Sequence, residues 1–178
     1  MTKIVLLSGS PNIASSSHKV LEVIEQLLQN KGFTTDIISV TQLPQQDLMT
    51  GNFGSKALQP FIQRIEQADG VIVASPVYKA SYTGVLKSFF DLLPQQIFQR
   101  KTVLPIMTGG SIAHLLAIDY AFKPLITTLK GQALQGVYVV DEQMDKNAPH
   151  IIIDEAVWQR LHQQLEALDE AIALQKVY

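Results

Sequence analysis

Five hydroxyls, those of Ser8, Ser10, Ser15, Ser16 and Ser17, fall within one short stretch that also holds Gly9, Pro11 and Asn12 and contains no Lys or Arg. Where such a stretch enters a helix, its hydroxyls and backbone N–H groups can hold a phosphate monoester, helped by the positive end of the helix. A cap and a turn account for one such hydroxyl, and five read as a cradle. Two further stretches could face a planar ring. In Ser75-Pro76-Val77-Tyr78-Lys79 the proline stiffens the chain while Val77 and Tyr78 offer apolar surface. In Thr108-Gly109-Gly110-Ser111 the glycines allow the main chain to approach closely and present N–H groups. Taken singly, a loop tyrosine also serves as a lid over core residues, and Gly-Gly also serves as a turn.

Other chemistries find no footing. No GxxxxGK[ST] stretch exists and no GxGxxG follows the first apolar run, against P-loop hydrolysis and a dinucleotide fingerprint. No GxSxG elbow supports a hydrolase. With no cysteine there is no thiolate, dithiol pair or cysteine-held cluster, so redox chemistry needs a bound organic cofactor or another metal site. His18, His150 and His162 are scattered along the chain and read as solvent or cap positions, so no metal site is expected. The 14 Lys and Arg against 16 Asp and Glu give a net charge of -2 with no basic run, which sets nucleic acid aside as a partner. Ile4 to Leu7 is too short for a signal-peptide core or a membrane span, and a cytoplasmic protein is expected.

The elements that must carry these loops are strands and helices in alternation. Ile4–Leu7, Val71–Ala74 and Val103–Met107 are unbroken apolar runs ending at Ser8-Gly9, Ser75-Pro76 and Thr108-Gly109, the pattern of parallel strands buried on both faces. Thr35–Val40 and Gly136–Val140 make five strands. Helical spacing marks Val20/Ile24/Leu27/Leu28, Phe61/Ile65/Ala68 and Leu86/Phe89/Phe90/Leu93. A long segment from Ala113 to Lys130 and a helix from about Asp154 to Ala173 complete a single α/β domain over residues 1–178. For a five-stranded parallel sheet with helices on both faces the expected order is 2-1-3-4-5, which makes the loops after strands 1, 3 and 4 neighbours at the switch in winding.

Gly9-Ser10-Pro11 with Ser15 and Ser17, Ser75-Pro76-Val77-Tyr78 running to Gly84-Val85-Leu86-Lys87 and Asp91, and Thr108-Gly109-Gly110 resemble, in order and spacing over nearly the whole chain, the NADPH-dependent FMN reductase family. The resemblance implies a flavodoxin-like three-layer sandwich that uses FMN and NADPH. It implies that Ser10, Ser15 and Ser17 hold the FMN phosphate, with Asn12 also among the cofactor-binding residues, that Pro76, Val77, Tyr78 and Lys79 line the ring, and that Thr108, Gly109, Gly110 and Ser111 close its other edge. His114 either bonds the flavin or contacts its own helical turn. The segment Gly110–Pro124 is similar to FMN reductases of two-component alkanesulfonate systems, in which reduced flavin passes to a separate monooxygenase. Much of the family has Glu-Tyr-Asn and Pro-Gly where this chain has Val77-Tyr78-Lys79 and Thr83-Gly84, which sets it apart from azo- and quinone-reducing relatives.

The expected reaction is hydride transfer from nicotinamide to flavin, in which the cofactors carry the chemistry and no general acid or base is needed, so no catalytic side chain is assigned. A quinone or azo reductase with tightly held FMN is the alternative enzyme, and a flavodoxin-type electron carrier the alternative outside enzymes. A phosphoryl-receiver domain shares the topology but needs acidic residues where Ser8-Gly9-Ser10 and Ser75-Pro76 stand. Pro124 lacks the N–H that would bond the Tyr120 carbonyl, so the Ala113–Lys130 segment is expected either to kink or to open a π-type turn in which Leu125 reaches that carbonyl. In the sulfonate-linked reductases that the segment resembles, such a π turn places a tyrosine at the subunit interface of a tetramer. The resemblance thus implies a homotetramer or homodimer with Tyr120 near the contact.

Overall fold

In the computed structural model, which describes residues 2–176 and leaves Met1, Val177 and Tyr178 outside, the apolar runs form β1 (Lys3–Ser8), β3 (Gly70–Pro76) and β4 (Thr102–Gly109), with β2 (Thr34–Ser39) on the outer side of β1. All pairings within the sheet are parallel and the order is β2-β1-β3-β4, followed by the fifth-strand position, the order expected for the fold. The sheet residues of β1, β3 and β4 have almost no solvent contact, which explains why these strands read as continuous rather than alternating apolar runs.

The fifth strand departs from the expectation. It is split into β5 (Gln132–Ala133) and β6 (Val137–Val140), both parallel to β4. Val103 pairs with Ala133 and Ile106 with Val137, so Leu134, Gln135 and Gly136 stand opposite only Leu104 and Pro105. The Val103 carbonyl accepts the Leu134 N–H at 2.9 Å. Alternation along β4 makes Pro105 the next residue to face the fifth strand, and proline has no N–H to give. The outer strand therefore bulges by one residue there. Gly136 absorbs the bend at φ +91°, where a Cβ would meet the Pro105 carbonyl oxygen at 2.8 Å.

Successive residues of each strand feed two cores. Ile4, Leu6, Ile72, Ala74, Leu104 and Ile106 pack under α1 (Ser16–Asn30) and the last helix, α6 (Glu155–Gln175). Val5, Leu7, Val71, Val73, Val103 and Met107 pack under α2 (Gln45–Thr50), α3 (Gln59–Glu66), α4 (Gly84–Asp91) and α5 (Lys123–Thr128). The three-layer flavodoxin-like sandwich is thus present. Among the described residues no helix is long and apolar enough to cross a membrane.

The Ala113–Lys130 segment is not one helix. A 3-10 turn at Ile112–His114 is followed by a π-helical stretch at Ile118–Phe122, and only Lys123–Thr128 is α-helical. The wide turn closes through the Lys123 N–H, which donates to the Ile118 carbonyl five residues back. It thus begins upstream of the carbonyl that proline was expected to orphan. Pro124 itself sits in the first turn of α5, where its missing N–H is harmless.

Candidate functional site

The Gly9–Ser15 loop is fastened to its neighbours before any ligand is considered. Gly9 donates its N–H to the Ala74 carbonyl at 2.8 Å, and a Cβ at this position would strike Leu86 Cδ2 at 2.6 Å. Thr83, fully buried, caps α4 through the Leu86 N–H at 3.2 Å and donates its own hydroxyl to the Gly9 carbonyl. One side chain thereby locks the loop after β1 to the loop after β3.

Within the loop, the buried Ser10 hydroxyl accepts the Asn12 N–H at 3.1 Å and keeps its own proton for a further acceptor. Asn12 turns its carboxamide oxygen to the Ala14 N–H at 2.9 Å. Ser15 caps α1 by accepting the His18 N–H at 3.2 Å, and its hydroxyl lies 3.2 Å from that of the fully buried Ser17. The N–H groups of Ser16 and Ser17, the first two of the helix, have no acceptor among the described residues. These donors, at the positive end of a 15-residue helix, suit an anion with several oxygens.

His18 departs from its expected solvent or cap role. Its Nδ1 lies 2.8 Å from the buried Ser8 hydroxyl, and its Nε2 faces Glu22 at 3.7 Å. His150 and His162 are not scattered in space either. They flank Trp158, with ring centroids 4.3 and 4.8 Å away. No group of three or more metal-ligating side chains forms among the described residues.

The loops after β3 and β4 form the other half. Val77 donates its N–H to the Thr108 carbonyl at 2.8 Å, which extends the Pro76–Thr108 pairing one residue past the strands. Tyr78 and Ser81 exchange backbone bonds of 2.8 and 3.2 Å around Lys79 and Ala80, whose φ values of 51° and 63° are both left-handed. A cavity of about 760 Å³ is lined by Val77, Tyr78, Lys79, Ala80 and His114. Tyr78 is half exposed beside it, available to lie against a flat ring.

The loop after β4 is held by a residue that carries no signal in the pattern of the chain. Tyr138, buried in β6, donates its hydroxyl to the Ser111 carbonyl at 2.7 Å. Burial pushes its phenol upward, and Asp141 adds in the same direction, so the hydroxyl keeps the proton that it donates. Ser111 in turn caps the Ile112–His114 turn through the Ala113 N–H at 3.2 Å. His114 is exposed and lines the cavity while its own N–H reaches the Ser111 carbonyl at 3.4 Å.

The expected residues therefore fall into two groups at the carboxyl ends of the strands. Ser10, Asn12, Ser15 and Ser17 lie at the loop–helix junction. Val77, Tyr78, Lys79 and His114 line the cavity, whereas Pro76 pairs with Thr108 at the adjoining strand ends and Gly109, Gly110 and Ser111 follow in the loop after β4. Sequence reasoning missed Thr83, whose place just before a helix was a legible cap signal. It also missed Tyr138 and Lys146, the latter donating to the Ala14 carbonyl at 3.1 Å from 132 residues away. The hydroxyls and free N–H groups at the start of α1 are a donor set that fits a phosphate monoester, and the exposed Tyr78 offers a face for a flat ring, as in FMN.

Residues 2–146 match the model of a family described as NADPH-dependent FMN reductase. The chain is 44% identical over 174 residues to a Pseudomonas putida protein named FMN reductase (NADPH), a match covering 96% of this chain and 88% of that one. It is 33% identical to the NADH-dependent FMN reductase SfnF of Pseudomonas putida, covering 93% and 90%. Among solved structures it is similar to an apo NADH:FMN oxidoreductase, EMOB, with a TM-score of 0.79 and 32% identity, covering 99% of this chain and 89% of that one.

Proposed function

The chain belongs to the NADPH-dependent FMN reductase family, and from that premise, with NAD(P)H-dependent reduction of FMN as its activity, we propose that it supplies reduced FMN to a partner monooxygenase. The observation that carries the reading is the fastening of three loops to one another at the carboxyl ends of β1, β3 and β4, with hydroxyl and N–H donors gathered at the start of α1. When bound, FMN supplies a two-electron acceptor at its ring for the hydride of the nicotinamide.

The residues of the chain bind and orient. Ser10, Asn12, Ser15 and Ser17, with the free N–H groups of α1, hold the phosphate. Pro76, Val77, Tyr78 and Lys79 support one side of the ring, and Thr108, Gly109, Gly110, Ser111 and His114 bound the other. No side chain moves a proton. The chain acts as a single cytoplasmic domain, and the resemblance of Gly110–Pro124 to sulfonate-linked reductases supports a role in sulfonate sulfur assimilation. Ile112, Leu115, Leu116 and Tyr120 are exposed apolar side chains along the segment of the π turn, which supports a homotetramer or homodimer with Tyr120 at the contact.

The test is steady-state NADPH oxidation with free FMN as the varied substrate. Saturable turnover is expected. A protein that keeps a yellow cofactor yet does not turn over free FMN would be an electron carrier instead.

A further inference from the structure

The Ser8–Ser17 stretch contains no Lys or Arg, so its hydroxyls and N–H groups leave most of a phosphate's charge unopposed. The nearest cation in sequence, Lys19, is tied to Glu22 at 2.9 Å. His18 is turned between Ser8 and Glu22. A cation from elsewhere in the chain does reach the loop. Lys146 Nζ donates to the carbonyl of Ala14, the residue just before the cap of α1, at 3.1 Å. An ammonium has three protons to donate, and among the described residues Lys146 has no carboxylate partner.

The backbone that carries Lys146 is held in place. Met144 and Ile152 form an antiparallel bridge, the Asp145 N–H donates to Ile151 at 2.8 Å, and the Ile153 N–H donates to Gln143 at 2.9 Å. Ile151 and Ile152 are buried in the core beneath α1 and α6. At the tip, Asp145 accepts the Asn147 N–H with its carboxylate at 2.8 Å and the Ala148 N–H with its carbonyl at 3.2 Å. Only the lysine side chain remains to be ordered.

We propose that Lys146 is the cationic member of the FMN phosphate site, contributed across the fold by the hairpin between β6 and α6. The proposal rests on reading the Ser10–Ser17 loop as the phosphate cradle. Its rival is a lysine that merely staples the hairpin to the loop, which would act on stability without distinguishing one flavin from another.

FMN and riboflavin share the ring and differ in the phosphate, so paired titrations of flavin fluorescence separate the two. With Lys146→Met, FMN affinity should fall about tenfold at low ionic strength, with a smaller loss at high salt as screening weakens the charge in the parent. Riboflavin affinity should not change, and Lys146→Arg should restore FMN binding. Unchanged FMN affinity in Lys146→Met, or equal losses for both flavins, would overturn the role of Lys146 while leaving the cradle intact if the parent prefers FMN. A parent with no preference for FMN over riboflavin would overturn the cradle and the proposal together.

Discussion

A Cβ added to Gly109 would stand 2.5 Å from the hydroxyl oxygen of Tyr138, with the Tyr138 Cζ and Val77 Cβ next at 3.4 and 3.6 Å. The obstruction is therefore one atom. Gly109→Ala should cost about 1–3 kcal/mol as an overpacked contact. Tyr138→Phe alone should cost about 0.5–1.5 kcal/mol for the lost bond to Ser111. In the double variant the methyl enters the space of the missing hydroxyl, so the two effects should fall short of their sum by about 1 kcal/mol or more. Denaturant unfolding of the four proteins measures this, and strict additivity would contradict the contact.

The phosphate cradle is tested by Ser10→Ala and by the Ser10→Ala, Ser15→Ala pair. Each hydrogen bond to a charged phosphate contributes about 1.5–3 kcal/mol, so FMN should bind at least about tenfold more weakly to the single variant and more weakly still to the pair. The second change also removes the cap of α1 and should lower stability by about 1 kcal/mol. Riboflavin titration separates the two consequences, since cap loss has no reason to spare a flavin without phosphate. FMN constants unchanged in both variants would remove the cradle.

These tests mark where sequence patterning ran out. The strands and the three loops that follow β1, β3 and β4 were legible because buried parallel strands leave unbroken apolar runs whose ends are marked by Ser, Pro and Gly, whereas the strand order was assumed from the α/β alternation and no residue spelled it out. The split of the fifth strand was not drawn from the sequence, although Pro105 inside a central run carried the signal, because its effect falls on the neighbouring strand and not on its own. In the Ala113–Lys130 stretch Pro124 signalled a kink or a π turn, but not that the wide turn would close at Ile118, ahead of the Tyr120 carbonyl. Tyr138 reads as an ordinary strand aromatic, and Lys146 as an ordinary surface lysine. Their roles are set by tertiary neighbours 27 and 132 residues away.

The turn at Tyr78–Ser81 holds Lys79 and Ala80 at left-handed φ without a glycine. For residues with a Cβ this conformation costs about 1–2 kcal/mol, whereas glycine adopts it freely but loses more entropy on folding. Ala80→Gly should therefore leave stability within about 1 kcal/mol of the parent, on the stabilising side. Ala80→Val, β-branched in the same conformation, should destabilise by about 1–3 kcal/mol. Thermal unfolding of both variants decides it, and a valine variant as stable as the parent would show that the turn is free to relax.

The π turn offers the last test. Its closing bond spans five residues, from the Lys123 N–H to the Ile118 carbonyl, one more than an α-helix allows. Deleting Tyr120 removes one residue inside the turn and leaves that donor and acceptor at α-helical spacing. The helix can then run straight only if the chain before it rotates by about 100° relative to α5, whose approach is fixed by the fully buried Phe122 and Ile126. That rotation carries Ile112, Leu115 and Leu116 with it and bears on the Gly109–His114 loop that bounds the proposed flavin site. Deletion should therefore reduce the oligomer seen by size exclusion, retain more flavin through purification and lower turnover with free FMN. Tyr120→Ala keeps the chain length and the π turn and removes only the ring, which is 80% exposed, so it should weaken assembly while flavin retention stays at the parent level. A deletion variant that purifies colourless, assembles as the parent does and turns over free FMN at the parent rate would show that the wide turn is a passive feature of the segment before Pro124.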